Sequence, residues 1–152
     1  MLTTAHVSFT VEDLDRSLAF YRDVLGMEPV AAMERVGEDI SRIVGFPDAH
    51  LKIAFLRLPG GGPMLLELIQ YLSPRGRPVD RRTCNPGSAH ICFNVTDIHS
   101  AYRALQAAGV CFRSEPVPIQ TGVNRGGYAV YFLDPDGNTL ELVQPPQISP
   151  AG

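Results

Sequence analysis

No CxxC pair occurs in this 152-residue chain, and its three cysteines, Cys84, Cys92 and Cys111, are odd in number. That argues against both a disulfide framework and a thiolate zinc site. A basic excess is missing too: 13 Lys and Arg stand against 16 Asp and Glu, for a net charge of −3 and a pI of about 5.7. A dedicated nucleic-acid binder is thereby disfavoured. No apolar run approaches the ~20 residues of a membrane span. The opening MLTTAHVSFTVEDLDRS lacks the charged-then-apolar layout of a secretory signal. The expectation is a cytoplasmic protein with neither nucleic acid nor membrane as partner. What is present is ordinary globular composition, 45% hydrophobic and 19% charged with a mean hydropathy of +0.02, which excludes disorder, coiled coil and collagen. A chain of this length buries roughly two thirds of its unfolded surface, enough to fold without a disulfide or a structural metal.

The chain repeats itself. His6-Val7-Ser8-Phe9-Thr10-Val11-Glu12-Asp13-Leu14 aligns with His90-Ile91-Cys92-Phe93-Asn94-Val95-Thr96-Asp97-Ile98. Both segments lead into a helical pattern that stops at a glycine, Gly26 in one copy and Gly109 in the other. Each copy closes on a second matched segment: Leu65-Leu66-Glu67-Leu68-Ile69-Gln70 against Thr139-Leu140-Glu141-Leu142-Val143-Gln144. The organisation that follows is a first module over 1–72, a linker over 73–86, a second module over 87–146 and a tail over 147–152. The linker carries Arg75, Arg77, Arg81 and Arg82 among prolines and glycines.

Period and punctuation give the elements of each module. Residues 4–11 alternate as a half-buried strand does. Asp13 or Asp15 can cap the next helix, whose Leu14, Leu18, Tyr21 and Leu25 recur at helical spacing before Gly26. Strands are predicted at 28–34, 51–58 and 63–71, the last two joined by the turn Pro59-Gly60-Gly61-Gly62-Pro63. The second module reads as strand 88–95, helix 97–108 and strands 110–114, 127–133 and 138–144, with the turn Asp134-Pro135-Asp136-Gly137-Asn138 before the last. Each module is βαβββ, and the stretch 37–50 adds a short helix and loop to the first alone.

Alternation also fixes which way the chemistry points. His6 shares a strand face with Ser8 and Thr10, and His90 with Cys92 and Asn94, opposite the apolar residues that meet each helix. Glu67 and Glu141 are each flanked by leucines that take the other face. An inward carboxylate in such a strand must be paired, hydrogen-bonded or metal-bound, because burying a bare charge costs too much. A lone histidine on a strand is usually a satisfied core or surface residue. Four residues at matching places of a duplication are hard to ascribe to chance. His6, Glu67, His90 and Glu141 together make a sensible ligand set for one divalent ion, and their nitrogen and oxygen donors suit Zn, Ni, Co, Mn or Fe better than Ca.

The segments HVSFTVEDLDRSLAFYRDVLGM, LLELIQY, GSAHICFNVTDIHSAYRALQAAGV and VYFLDPDGNTLELVQ make the chain resemble the vicinal-oxygen-chelate superfamily over 4–145. That superfamily contains glyoxalase I, methylmalonyl-CoA epimerase, extradiol dioxygenases and fosfomycin- and bleomycin-resistance proteins. The resemblance implies an α+β fold in which two βαβββ modules pair into a cupped, barrel-like mixed sheet around a metal, and it implies a homodimer. In glyoxalase I and the epimerase, the ligands are a first-strand His and a last-strand Glu or Gln of each module, which places them at His6, Glu67, His90 and Glu141. Extradiol dioxygenases use two His and one Glu, matching His6, His90 and Glu141 alone.

Glu67 therefore favours redox-neutral proton chemistry on a small carbonyl substrate, of glyoxalase I or epimerase type. The ion would polarise the carbonyl, acidify the neighbouring C–H and stabilise the resulting enediolate. Glu141 is the first choice for the general base and Glu67 the second. The alternatives are a ferrous extradiol-type dioxygenase and a non-enzymatic binding or resistance protein. Bacterial glyoxalase I holds glutathione with a first-strand Arg and an Asn after the third ligand. Thr10 and Tyr71 occupy those places here. The last hairpin, DPDGNTLEL, has the glyoxalase and dioxygenase form, not that of the epimerase.

Other residues carry blander readings. His50 and His99 read as surface residues. Cys92 can line the pocket beside His90 or simply pack. The four linker arginines could meet an anion such as a CoA phosphate, but a solvated basic linker is the better reading. Gly122, Gly126 and Gly127 suggest a mobile loop without the context of a phosphate cradle. Asn94-Val95-Thr96 matches a glycosylation sequon inside a predicted strand and is discounted.

Overall fold

A computed structural model describes residues 1–60 and 62–147. Gly61 of the predicted turn and residues 148–152 of the predicted tail lie outside the described residues. The fold is α+β, in two compact units, Met1–Val79 and Asp80–Gly152, that divide inside the segment expected to be a linker.

Unit 1 runs β1 (His6–Thr10), α1 (Leu14–Ala19), β2 (Glu28–Val36), α2 (Glu38–Val44), β3 (His50–Arg57) and β4 (Leu65–Ser73). Its sheet has the order β1-β4-β3-β2, with β1 parallel to β4 and the other pairs antiparallel. Asp13 caps α1, its carboxylate accepting from the Arg16 N–H at 2.9 Å, whereas Asp15 lies inside the first turn. The helix predicted to run unbroken to Gly26 changes after Ala19 into a π-helical turn, Phe20–Val24. There the Leu25 N–H donates to the Phe20 carbonyl. The wider turn leaves Leu14 and Tyr21 buried and Leu18 and Leu25 only partly so.

The two faces of this sheet are filled differently. Leu56, Leu66 and Leu68 are fully buried on the face that meets α1. On the other face Ile40 and Val44 of α2 pack with Leu51, Ile53, Phe55, Ile69 and Tyr71. Registers pairing Ile53 with Ile69 and Phe55 with Glu67 put this cluster on the face that bears Glu67. The added helix of the first module thus covers part of the chemically loaded face.

Unit 2 runs β5 (His90–Asn94), α3 (Ile98–Ala107), β6 (Cys111–Phe112), β7 (Val117–Pro118), β8 (Tyr128–Leu133) and β9 (Thr139–Gln144). The sheet order is β5-β9-β8-β6, and β7 also pairs with β8. β7 was not expected, and β6 is shorter than the predicted 110–114. The glycine-bearing stretch expected to be a mobile loop is a hydrogen-bonded hairpin between β7 and β8. Ile119 N–H donates to the Gly127 carbonyl and Gly126 N–H to that of Ile119, both at 2.9 Å. Gly127 is required there, since a Cβ would stand 2.1 Å from the Gln144 carbonyl oxygen.

A matched glutamine locks the helix start to the last strand in each unit. Gln70 accepts from the Leu14 N–H at 3.2 Å, and Gln144 accepts from the Ile98 N–H at 2.8 Å. Each bond satisfies one of the donors that a helix N-terminus leaves open. Among the described residues no helix is long and apolar enough to cross a membrane.

Candidate metal centre

The alternation read from β1 holds in space: His6, Ser8 and Thr10 are exposed while Val7 and Phe9 turn inward. In the parallel register, His6 stands opposite Leu65, and Ser8 opposite Glu67. The imidazole reaches diagonally, placing Nε2 3.3 Å from Glu67 Oε2. Glu67 is 9% exposed, between the fully buried Leu66 and Leu68. Phe55, directly across from Glu67 on β3, presents its ring edge-on to His6 with centroids 5.7 Å apart.

Unit 2 repeats this arrangement. His90 stands opposite Thr139 and Cys92 opposite Glu141, and His90 Nε2 lies 3.0 Å from Glu141 Oε2. Tyr131 takes the place of Phe55, across from Glu141, with its ring centroid 5.3 Å from that of His90. This pair has the more polar surroundings. Burial, then the charge of Glu141 and a hydrogen bond to it, push the Cys92 thiol up to about 11. Burial first, then Glu141 and Cys92, also raise the Tyr131 hydroxyl above its ordinary value.

The four expected ligands thus stand as two His–Glu pairs, one in each unit. Among the described residues no set of three or more His, Cys, Asp or Glu is placed to hold an ion. Each pair presents two donors, an imidazole nitrogen and a carboxylate oxygen, the chemistry a borderline divalent ion takes. A carboxylate as buried as Glu67 needs a cation or donors to offset its lost hydration. The Thr139 hydroxyl is buried with no hydrogen-bond partner, an orphan of the kind a missing ion or water explains. On these grounds the residues fit a divalent metal.

Sequence reasoning passed over Tyr131 and Thr139. Pairing strands 127–133 and 138–144 across the Asp134–Asn138 turn would have placed both on the face of Glu141. Asp134 closes that turn, accepting from the Asn138 N–H at 2.7 Å, the Asn138 side-chain amide at 2.7 Å and the Asp136 N–H at 2.9 Å. Four of the other candidates, His50, His99, Arg81 and Arg82, have structural partners. His50 pairs with Glu34, and His99 stands edge-on to Tyr128 with centroids 5.0 Å apart. Arg81 donates to the Asp136 carbonyl at 2.5 Å, and Arg82 to Asp80 at 2.8 Å.

Comparison with known proteins agrees with this fold. The family model for the glyoxalase/bleomycin resistance protein/dioxygenase superfamily matches residues 3–142. A 2-epi-5-epi-valiolone epimerase from Actinomyces sp is 34% identical over 150 residues, covering 95% of this chain and 80% of that one. A lactoylglutathione lyase from Haemophilus influenzae is 29% identical over 141 residues, covering 91% and 90%. The crystal structure of a glyoxalase family protein from Bacillus cereus superposes with a TM-score of 0.81 at 22% identity, over 96% of this chain and 95% of that one. The match of the family model to residues 3–142, nearly the whole chain, shows the family: the chain belongs to the glyoxalase/bleomycin resistance protein/dioxygenase superfamily.

Proposed function

We propose that the chain is a divalent-metal-dependent isomerase or lyase that moves a proton on the carbon next to a carbonyl. The observation that carries this reading is the repeated pair, His6 with Glu67 and His90 with Glu141. In this reading the two pairs together hold one ion, of the Zn, Ni, Co, Mn or Fe class. Bound there, the ion supplies Lewis-acid polarisation of the substrate carbonyl and so acidifies the neighbouring C–H.

The remaining steps belong to the protein. Glu141 takes the proton and Glu67 is the second candidate for that role. His90 Nε2 and Glu141 Oε2 stand 3.0 Å apart, a spacing at which both donors can serve one ion. Tyr131 and Cys92, both at Glu141, keep their protons and offer an O–H and an S–H to the site. Glu67, as a fourth ligand, separates this reading from an oxygen-consuming dioxygenase, which needs only two His and one Glu.

Between the two reactions named among the relatives, the epimerase form is favoured. The residues that would hold glutathione are replaced by Thr10 and Tyr71, and Tyr71 is packed into the apolar cluster under α2. The substrate class is then a small oxygen-bearing carbonyl compound not carried on glutathione. Because β1 and β5 each end their sheet, we place the working species as a homodimer that covers such edges.

The test is metal analysis of protein purified without added metal. Wild type should keep about one divalent ion per chain after dialysis. His90→Ala should lose it while remaining folded, because a core of this size does not depend on the ion. Equal metal in both proteins would show that the site is misassigned.

A further inference from the structure

We infer that Thr139 is a positioning residue for His90, its hydroxyl accepting a hydrogen bond from the Nδ1–H of that imidazole once Nε2 is committed to a metal ion. The inference rests on reading the His–Glu pairs as metal ligands.

Three observations within unit 2 carry it. Thr139 is the direct neighbour of His90 in the parallel β5–β9 register, so the two side chains share one face of the sheet. Its residue is 2% exposed, and its Oγ1 has no hydrogen-bond partner. On the other flank its register partner is Leu133, which offers no polar side chain, so its polar neighbour across the strands is His90, with Glu141 two residues further along its own strand.

The duplication supplies an internal control. In unit 1 the residue opposite His6 is Leu65, so this position of the fold accepts an apolar side chain. A hydroxyl at Thr139 is therefore not a requirement of the sheet. A buried hydroxyl left without a partner is destabilising, whereas a methyl group of the same shape is not. Such a group persists where another state of the protein uses it.

Metal-bound imidazole provides that state. The ring nitrogen away from the ion carries a proton and donates it to an oxygen acceptor, which fixes both the tautomer and the ring orientation. His90 turns Nε2 toward Glu141, which leaves Nδ1 to make this bond. Loss of such a partner typically weakens metal affinity by about 10–100-fold.

The experiment titrates cobalt(II) into metal-free wild type, Thr139→Val and Thr139→Ser against a chromophoric chelator, and records the melting temperature of each metal-free protein. Thr139→Val keeps the shape and removes the hydroxyl; Thr139→Ser keeps the hydroxyl and removes the methyl. The expected result is cobalt affinity lower by about 10–100-fold in Thr139→Val and near wild type in Thr139→Ser. Metal-free Thr139→Val should melt at or above wild type, so stability and affinity move in opposite directions. Wild-type affinity in Thr139→Val overturns the inference and leaves the metal reading standing. Equal weakening in both variants overturns it as well, in favour of packing by the methyl group. Wild type that binds no cobalt overturns the metal reading together with the inference.

Discussion

Nε2 of His90 lies 3.0 Å from Oε2 of Glu141, although the residue directly opposite His90 in the sheet is Thr139. The same diagonal joins His6 to Glu67 past Leu65. The two donors of each pair therefore come from neighbouring parallel strands, two residues out of register, and an imidazole has the length to span that offset.

If Glu141 is the base, substrate incubated in heavy water gains deuterium at the carbon next to its carbonyl, and the reaction needs no dioxygen. Glu141→Gln should lower the exchange rate by about 10²–10⁴, the usual contribution of a positioned base. Metal content has to be measured beside the rate, since the same carboxylate is a proposed ligand. Stoichiometric oxygen consumption with a catechol and ferrous iron would establish the dioxygenase reading instead.

Cys92 should resist alkylation. The thiolate is the reactive form, and a thiol held at about 11 by burial and by Glu141 is mostly protonated at neutral pH. In metal-free protein labelling should be slow at pH 8 and climb as the pH rises toward about 11. In metal-free protein, Glu141→Gln removes the negative charge and should speed Cys92 labelling at pH 8. Mass spectrometry of iodoacetamide-treated protein reads this directly. Labelling of Cys92 at the rate of a free cysteine would contradict the account.

Asp134→Ala should destabilise unit 2. The carboxylate is in a residue 5% exposed and accepts from two backbone N–H groups and one side-chain amide. Removing it strands buried donors, at a cost of about 3 kcal/mol, which lowers the melting temperature by roughly 6–12 °C. Asp134→Asn retains one acceptor oxygen and should lose less. A melting temperature unchanged in Asp134→Ala would show that the turn holds without its carboxylate.

Sedimentation at micromolar concentration should report a particle of about twice the 16.6 kDa chain mass. A monomer would remove the homodimer from the proposal and leave the His–Glu pairs untouched.

The duplication and the parity of each strand were legible because they are local. His6 and His90 alternate with the apolar residues of their own strands, and Asp13, one of the two aspartates offered as a cap, caps the first helix, whereas Asp97, taken as the first residue of the second helix, is its cap. Glu67 and Glu141 stood out by their leucine neighbours. The π-helical turn at Phe20–Val24 was not legible, since its residues keep ordinary helical spacing and only packing selects the wider turn. Nor was β7, whose two residues acquire strand geometry from β8 alone.

By itself, then, the sequence determined which side chains share a strand face with each histidine and that they come in two equivalent sets, because side-chain direction along a strand depends only on position within it. Tertiary structure decided which histidine meets which glutamate. It also placed α2 over the Glu67 face, set Phe55 and Tyr131 beside the two pairs, and left the Thr139 hydroxyl buried and unpartnered beside His90. Those outcomes depend on the register between strands far apart in the chain. Register is set by the whole sheet and its packing, not by any run of neighbouring residues.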